Sequence, residues 1–297
     1  MKISMLLAFS LLVVPAWGQD EKRDAKQDEK KPEDKIGKMK APETLKKALP
    51  EITKKKGYHV NEKVTIPALG GRGGGGQAQE PEFEGVVLKG DLAAMKGALE
   101  VYAKGPVTLV KNTKGEFVDP EKLTGQEAQQ GTAFKNPALL VAEVFHFLAT
   151  SAFTNDEAVE GVDCKIVETF ADPKTTEDQI KRLLDRISKQ IPDQGGGGGG
   201  GGGMGGMGGM LGQLSNYVDK KASSSTYKMW LGKNDLLPYK IEWTLTIVVD
   251  KAKIPGGFGA QVPDKLEAMT VLKISKYDEA LEVDWPKEIR AKFGIAK

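Results

Sequence analysis

Alternation of apolar and polar positions is clearest in the last third of the chain. Residues 239–247 read Tyr-Lys-Ile-Glu-Trp-Thr-Leu-Thr-Ile, so that every odd position is apolar and every even position is polar. Such alternation predicts a strand with one buried face and one solvated face. Tyr227, Met229 and Leu231 alternate in the same way before a turn over residues 232–238. The two segments are therefore predicted to be neighbouring antiparallel strands.

Shorter runs rich in valine, leucine and tyrosine predict further strands. They lie at residues 83–89, 98–103, 107–111 and 162–166, and glycines or other turn residues separate the first three. Near the C-terminus, residues 266–275 and 280–283 are predicted to form a last hairpin, which ends at Trp285 and Pro286. Short strands joined by tight turns are typical of a mainly antiparallel sheet.

Two segments have helical periodicity instead. Residues 137–152 are apolar on most sides, which is typical of a deeply buried helix or of one that lies over an apolar cavity. The apolar side chains of residues 176–191 share one stripe, formed by Ile180, Leu183, Leu184, Ile187 and Ile191. Thr176 and Gln179 are predicted to form a capping box at its start. Together with the strands, these helices predict an α+β fold.

The N-terminus has the pattern of a secretory signal peptide. Lys2 precedes an apolar run over residues 3–14, and small residues follow at Ala16 and Gly18. The run is shorter than the ~20 apolar residues that span a bilayer. We therefore expect residues 1–18 to be removed near Gly18. The mature chain is expected to be soluble, periplasmic or secreted, and without a transmembrane span.

Charged residues dominate the segment after the signal peptide. We expect residues 19–56 to be a charged, disordered tail, because few apolar side chains are available to offset the entropy of ordering it. A short helix near residues 42–49 would end at Pro50. Residues 57–82 are predicted to be a linker or an edge strand with a Gly-rich loop. Residues 83–297 are then expected to form a single domain.

Glycine is concentrated in two tracts. Of the 36 glycines, twenty lie within residues 70–76 and 195–212. The first tract contains the G-x-G-x-x-G spacing, but polar residues and Pro81 follow where a phosphate-binding helix would have to begin. Methionines stand between the glycines of the second tract, where the backbone has no fixed geometry for a soft metal. Both tracts are predicted to be disordered, the second as an insertion over residues 194–213.

Composition argues against several functional classes. Lys and Arg number 43 against 41 Asp and Glu, so the chain lacks the basic excess of a nucleic-acid binder. One cysteine and two histidines are too few for a thiolate metal site. Cys164 occupies a buried-face position and is expected to be a structural thiol. His146 is expected to lie on a helix face and bond to a neighbour, because no serine elbow accompanies it. We expect no enzyme activity, no cofactor and no metal.

The order of these elements resembles a known superfamily. Gly-separated strands and helices precede the sequence Tyr-Lys-Met-Trp-Leu-Gly-Lys at 227–233, a Leu-Pro turn at 237–238, a long alternating strand and a Pro-Lys-Glu segment at 286–288. This order is similar to that of the periplasmic lipoprotein-carrier superfamily, the LolA and LppX-like half-barrels. The resemblance covers about residues 83–293. It implies a strongly curved antiparallel sheet, open like half a barrel, with helices on its concave face.

The same resemblance implies an exported, non-enzymatic protein that binds an apolar ligand, either a lipid or the acyl chain of a lipoprotein. The side chains expected to contact this ligand are Met229, Leu231, Ile241, Trp243 and Leu245 from the strands and Phe145, Phe147 and Leu148 from the first helix. These residues would otherwise fill a packed core. The alternative function is a cell-envelope interaction or structural module without a small ligand, in which the charged tail contacts an envelope protein.

Overall fold

The computed structural model describes residues 34–67, 80–124, 127–128, 130–131, 134–190, 214–254, 263–279 and 281–296. The predictions for the signal peptide, for both Gly-rich tracts and for the first part of the charged tail lie outside these ranges.

One antiparallel sheet organises the fold. Its strands are β1 Gly57–Thr65, β2 Glu82–Leu88, β3 Leu92–Gly97, β4 Val101–Lys104, β5 Val107–Lys111, β6 Phe117–Val118, β7 Ala152–Val159, β8 Val162–Phe170, β9 Ser224–Gly232, β10 Pro238–Val248 and β11 Lys265–Ser275. The spatial order of these 11 strands is β6-β5-β4-β3-β2-β1-β11-β10-β9-β8-β7. In the part of the chain described, β6 and β7 form the two edges and do not pair with each other, so the sheet is open.

Four helices of defined extent accompany the sheet in the described part of the chain: α1 Ala41–Thr53, α2 Pro137–His146, α3 Pro173–Gln190 and α4 Lys287–Phe293. The first three contribute to the main hydrophobic core with the inward side chains of the strands. The fourth packs on the opposite face of the sheet. Alternation in β4 separates the two faces: Val101 and Ala103 belong to the main core, while Tyr102 packs against Trp285 and Ile289.

Two adjacent residues ahead of α2 show how strongly the sheet curves. The Asn136 side chain donates a hydrogen bond of 2.8 Å to the Gly105 carbonyl, just after β4. The Lys135 ammonium lies 3.1 Å from the ring centroid of Trp243 on β10. Five inter-strand spacings separate β4 from β10, which is about 24 Å across a flat sheet. Two neighbouring side chains cannot span that distance, so the sheet wraps around the start of α2. The predicted α+β fold, an open curved antiparallel sheet with helices on its concave face, is confirmed.

The prediction of a disordered tail over residues 19–56 is wrong for its described part. Residues 41–53 form α1, and Leu45 and Ala48 on this helix are fully buried in the main core. Pro50 does not end the helix, which continues to Thr53. Apolar residues at positions i, i+4 and i+7 form a buried stripe that the surrounding charges obscured in the sequence.

The prediction that residues 57–82 are a linker or an edge strand is also wrong for residues 57–65, while the Gly-rich loop lies outside the described residues. Strand β1 occupies residues 57–65 at the centre of the sheet, where it pairs with β2 and β11. Its inward positions are Tyr58, Val60, Glu62 and Val64, all of them buried. The carboxylate in the middle of this series breaks the apolar pattern that would have predicted a central strand.

The prediction of a C-terminal hairpin over residues 266–275 and 280–283 is wrong as well. Strand β11 pairs with β1 and β10, and residues 281–286 contain no strand. Val283 and Trp285 instead pack with α4 against the convex face.

The helix predicted over residues 137–152 ends at His146, and a 3₁₀ turn leads from there into β7. Strand β3 was not predicted as an element of its own.

The predicted capping box on α3 is wrong, because the helix begins earlier, at Pro173. Asp172 precedes the helix, and its carboxylate accepts a hydrogen bond of 3.0 Å from the Thr175 amide. Gln179 lies in the second turn, so its side chain is available for another contact.

The alternation predicted for β10 holds from Ile241 to Ile247. It fails at Tyr239, where a bulge shifts the register and the ring packs on the convex face.

Candidate functional site

A cavity of about 790 Å³ lies between the concave face of the sheet and helices α2 and α3. Its apolar wall comes from all three elements and includes Val64, Phe134, Leu139, Leu140, Phe147, Leu183, Trp243 and Ala268. Polar residues that also line it include Glu143, His146, Asp172, Asp178 and Arg182. A concave, mostly apolar space of this volume is typical of sites that bind small molecules.

The floor of the cavity is one row of side chains across four adjacent strands. Tyr227 on β9 pairs with Trp243 on β10, Trp243 pairs with Thr270 on β11, and Thr270 pairs with Val64 on β1. All four residues line the cavity. Residues that are directly paired in neighbouring strands point to the same face, so the ladder register itself builds the floor.

Helix α2 is held at the side of the cavity by the residue that precedes it. Asn136 is buried, and its side-chain oxygen accepts a hydrogen bond of 3.1 Å from the Ala138 amide, which caps the helix. Its amide group donates to the Gly105 carbonyl at the end of β4. Pro137 follows at the first helical position, where its missing N–H costs nothing. One side chain therefore caps α2 and ties it to the sheet.

The Tyr227 hydroxyl joins both helices to the floor. It donates a hydrogen bond of 2.9 Å to Glu143 on α2 and accepts one of 2.7 Å from the side chain of Gln179 on α3. Burial, followed by the nearby Glu143 carboxylate, raises the pKa of Tyr227, so the hydroxyl keeps its proton. The Phe147 ring stacks on the tyrosine ring at a centroid distance of 5.4 Å. The separation of α2 and α3, and with it the cavity width, is fixed at this point.

A second polar group lies beside the middle of the floor. Glu62 is fully buried, and one of its carboxylate oxygens accepts a hydrogen bond of 3.3 Å from the Lys135 amide. Burial raises the pKa of Glu62 to about 8, against the lowering effects of the Lys135 amide and ammonium. The Lys135 ammonium lies over Trp243, a favourable cation–π arrangement. A buried acid and a cation therefore flank the aromatic floor.

The eight residues predicted to contact a ligand separate into two groups. Trp243 and Phe147 line the cavity. The other six lie in the main core or pack against it, and they are Met229, Leu231, Ile241, Leu245, Phe145 and Leu148. The structure places these six among protein side chains, and ligand binding by any of the eight stays a prediction.

Several cavity residues were not predicted from the sequence. Thr270 and Ala268 occupy inward positions of β11, and Val64 occupies one on β1. The alternation of β11 predicts which of its side chains point inward, but it does not indicate which of them border a cavity. Gln179 and Glu143 are polar residues on helices, and only the topology brings them to Tyr227. The sequence feature that could have identified Glu62 as a buried acid is its place among the alternating inward positions of β1.

The other residues with candidate chemistry do not form a second centre. Cys164 is buried on the convex face, where desolvation raises the pKa of its thiol to about 11, as expected for a structural cysteine. His146 is exposed at the edge of the cavity. Within the described ranges, no group of three or more His, Cys, Asp or Glu residues is arranged to hold a metal ion.

The convex face carries a second groove, of about 850 Å³. It is larger than the concave cavity, but charged side chains line it, among them Glu82, Glu84, Lys96, Lys273 and Asp284. A wall of this kind does not suit an apolar ligand, because burying charged groups under it is costly. The concave cavity is therefore the better candidate site.

Comparison with known proteins gives structural similarity only. No protein-family model and no curated protein matches the chain. Among solved structures, it is similar to the lipoprotein LppX of Mycobacterium tuberculosis, with a TM-score of 0.40 and 11% identity over 82% of this chain and 98% of that one. LprF of Mycobacterium bovis has a TM-score of 0.35 and 12% identity over 83% of this chain and 96% of its own.

A LolA superfamily protein of Nitrosomonas europaea has a TM-score of 0.29 and 13% identity, over 84% of this chain and 97% of that one. At such identities no residue role transfers, so the function must be argued from this chain's own cavity. Among the described helices, none is long and apolar enough to cross a membrane.

Proposed function

We propose that this protein is an exported, non-enzymatic binding protein, which holds an apolar ligand between the curved sheet and helices α2 and α3. The ligand class is a lipid or the acyl chain of a lipoprotein. The signal-peptide pattern of residues 1–18 supports a periplasmic or secreted location. The observation that carries the proposal is the cavity of about 790 Å³ with its aromatic and aliphatic wall.

The size and chemistry of the wall suit an acyl chain. Each buried methylene contributes about 0.8 kcal/mol, so a chain of about ten methylenes contributes roughly 8 kcal/mol before the cost of association. Leu139 on α2 and Leu183 on α3 are half-buried and face the cavity from its two sides. Half-buried leucines at a cavity leave apolar surface that a ligand would cover.

We expect Leu139→Glu and Leu183→Glu each to weaken the binding of an apolar ligand about tenfold or more, because a carboxylate replaces an apolar contact on the wall. Both positions are helical, where glutamate is well tolerated. The measurement is the displacement of an environment-sensitive fluorescent fatty-acid probe from the mature protein by dodecanol.

The matched control is Leu49→Glu on α1, because this leucine is 43% exposed and does not line the cavity. We expect it to bind the probe as the wild type does. Equal weakening in all three variants would show that the probe binds to the outer surface, and so would unchanged binding in the two cavity variants. Either result contradicts the proposed site.

A further inference from the structure

The positive charge of the chain is unevenly distributed. Residues 34–56, which contain α1, hold eight of its 43 basic residues but only three of its 41 acidic ones. The rest of the chain therefore carries more acids than bases, although the whole sequence is nearly neutral. All eight basic residues of this segment are lysines, namely Lys35, Lys38, Lys40, Lys46, Lys47, Lys54, Lys55 and Lys56. A basic region of this kind attracts an anionic partner.

Most of these lysines are exposed and form no ion pair with the residues that the structure describes. Seven of the eight are exposed, and Lys55 is half-buried. The Lys54 ammonium lies 2.8 Å from the Glu51 carboxylate, and the Lys55 ammonium lies 3.1 Å from that of Asp278. The other six have no such partner in the described ranges, so their charge is available to a partner outside the chain.

An ordered part of the fold carries these charges. On the inner side of α1, Leu45 and Ala48 are fully buried, and the helix contacts α2, the 3₁₀ turn after it and β7. Ahead of the helix, Ile36 is buried, and the Lys35 amide donates a hydrogen bond of 2.8 Å to the Lys233 carbonyl. The core therefore fixes the inner side of this segment, while its lysines remain on the outside.

The lysines converge around one acid. A hydrogen bond from Lys54, together with the charges of Lys54, Lys35 and Lys55, lowers the pKa of Glu51. Lys47 lies four residues before Glu51 and so on the same side of the helix. Lysines from before, within and after α1 are thus brought to one place. We call this place the basic surface and define it by Lys35, Lys46, Lys47, Lys54 and Lys55.

The composition of the basic surface selects the kind of anion. Arginine binds a fixed phosphate through two parallel hydrogen bonds, whereas lysine is a flexible point charge. Lysines alone therefore suit negative charge that is spread over an area. Leu49 follows Lys46 by three residues and is 43% exposed, so it gains from a partner with an apolar layer. A bilayer with anionic lipids offers both, with phosphates at its surface and hydrocarbon below them.

We propose that the basic surface docks the protein onto a lipid bilayer that contains anionic phospholipids. The lysines contact the phosphate groups, and Leu49 enters the boundary between headgroups and acyl chains. The inference goes beyond the proposed function, because neither Leu49 nor any lysine of the basic surface lines the cavity. It assigns docking alone to this surface, and no step of ligand binding.

The test is co-sedimentation of the mature protein with vesicles of phosphatidylcholine alone and of equal parts of phosphatidylcholine and phosphatidylglycerol. The variant combines Lys46→Gln and Lys47→Gln, since glutamine is well tolerated in helices. The matched control combines Lys287→Gln and Lys292→Gln. It removes the same charge from exposed positions of α4, which packs on the opposite face of the sheet.

We expect the wild type to bind the vesicles with phosphatidylglycerol and not those without it. Each lysine near an anionic membrane surface changes the binding constant about fivefold, so the Lys46 and Lys47 variant is expected to bind about 20-fold more weakly. The control is expected to bind as the wild type does. Raising the salt from about 0.1 M to about 1 M should release the wild type, because the screening length falls to about 3 Å.

Equal weakening by the two pairs of substitutions would show that net charge alone attracts the protein, and it overturns the proposal. So does equal binding to both kinds of vesicle, or no binding to the anionic ones. Release of the wild type by dextran sulfate that carries the same amount of negative charge also overturns it, since the surface would then bind soluble polyanions. None of these results affects the proposed cavity, because probe displacement is measured without vesicles.

Discussion

The free energy of unfolding is expected to fall by about 4 kcal/mol between pH 5 and pH 8 because of Glu62 alone. Burial raises the pKa of this carboxyl from 4.5 to about 8. The folded protein therefore keeps a proton that the unfolded chain loses as the pH rises above 4.5. Unfolding releases this proton, so rising pH favours the unfolded state until the folded carboxyl also ionises near pH 8. One pKa unit corresponds to about 1.36 kcal/mol, which sets the size of the effect.

The measurement is urea unfolding of the wild type and of Glu62→Gln at several pH values from 5 to 9. Glutamine keeps the shape and the hydrogen bond from the Lys135 amide, but it does not titrate in this range. The difference in unfolding free energy between the two proteins is expected to change by about 4 kcal/mol in favour of the variant as the pH rises. If the unfolding free energies of the two proteins changed in parallel with pH, the Glu62 carboxyl would be solvated in the folded protein. No buried acid would then lie beside the cavity floor.

Leu45→Ala is expected to lower the free energy of unfolding by about 2–5 kcal/mol. Leu45 is fully buried in the main core, and its truncation leaves a cavity under α1. Leu49→Ala is the matched control, since Leu49 lies on the same helix and is 43% exposed. We expect it to cost less than about 0.5 kcal/mol. Similar small losses in both variants, measured by urea unfolding, would show that this segment is not part of the folded core.

Strict alternation of apolar and polar residues was a reliable guide to the fold. It located β10 and the inner positions of β9, because both faces of these strands have the composition that their burial requires. It failed at β1, where the inward series includes Glu62. It also failed for α1, whose four buried positions are a minority in a charged segment. Local composition reflects the average environment of a segment, whereas the fold depends on which few side chains point inward.

The site was less predictable than the fold. Trp243 and Phe147 were predicted to contact a ligand, and both line the cavity. The cavity exists because of how α2 and α3 are positioned against the sheet. Long-range contacts fix these positions, among them the hydrogen bonds of Tyr227 with Glu143 and Gln179. No local pattern reports contacts between residues so distant in sequence. Met229 and Leu231 were also predicted to contact the ligand, but the structure places both in the main core.

Native mass spectrometry of the protein purified from its own host tests the central claim most directly. If the cavity between the sheet and helices α2 and α3 holds an apolar ligand, the wild type should carry an additional mass that extraction into organic solvent releases as a lipid. The Leu139→Glu variant should lose this mass, and the Leu49→Glu variant should retain it. Repeated recovery of the bare wild-type chain, or equal retention of the mass in both variants, would contradict the account.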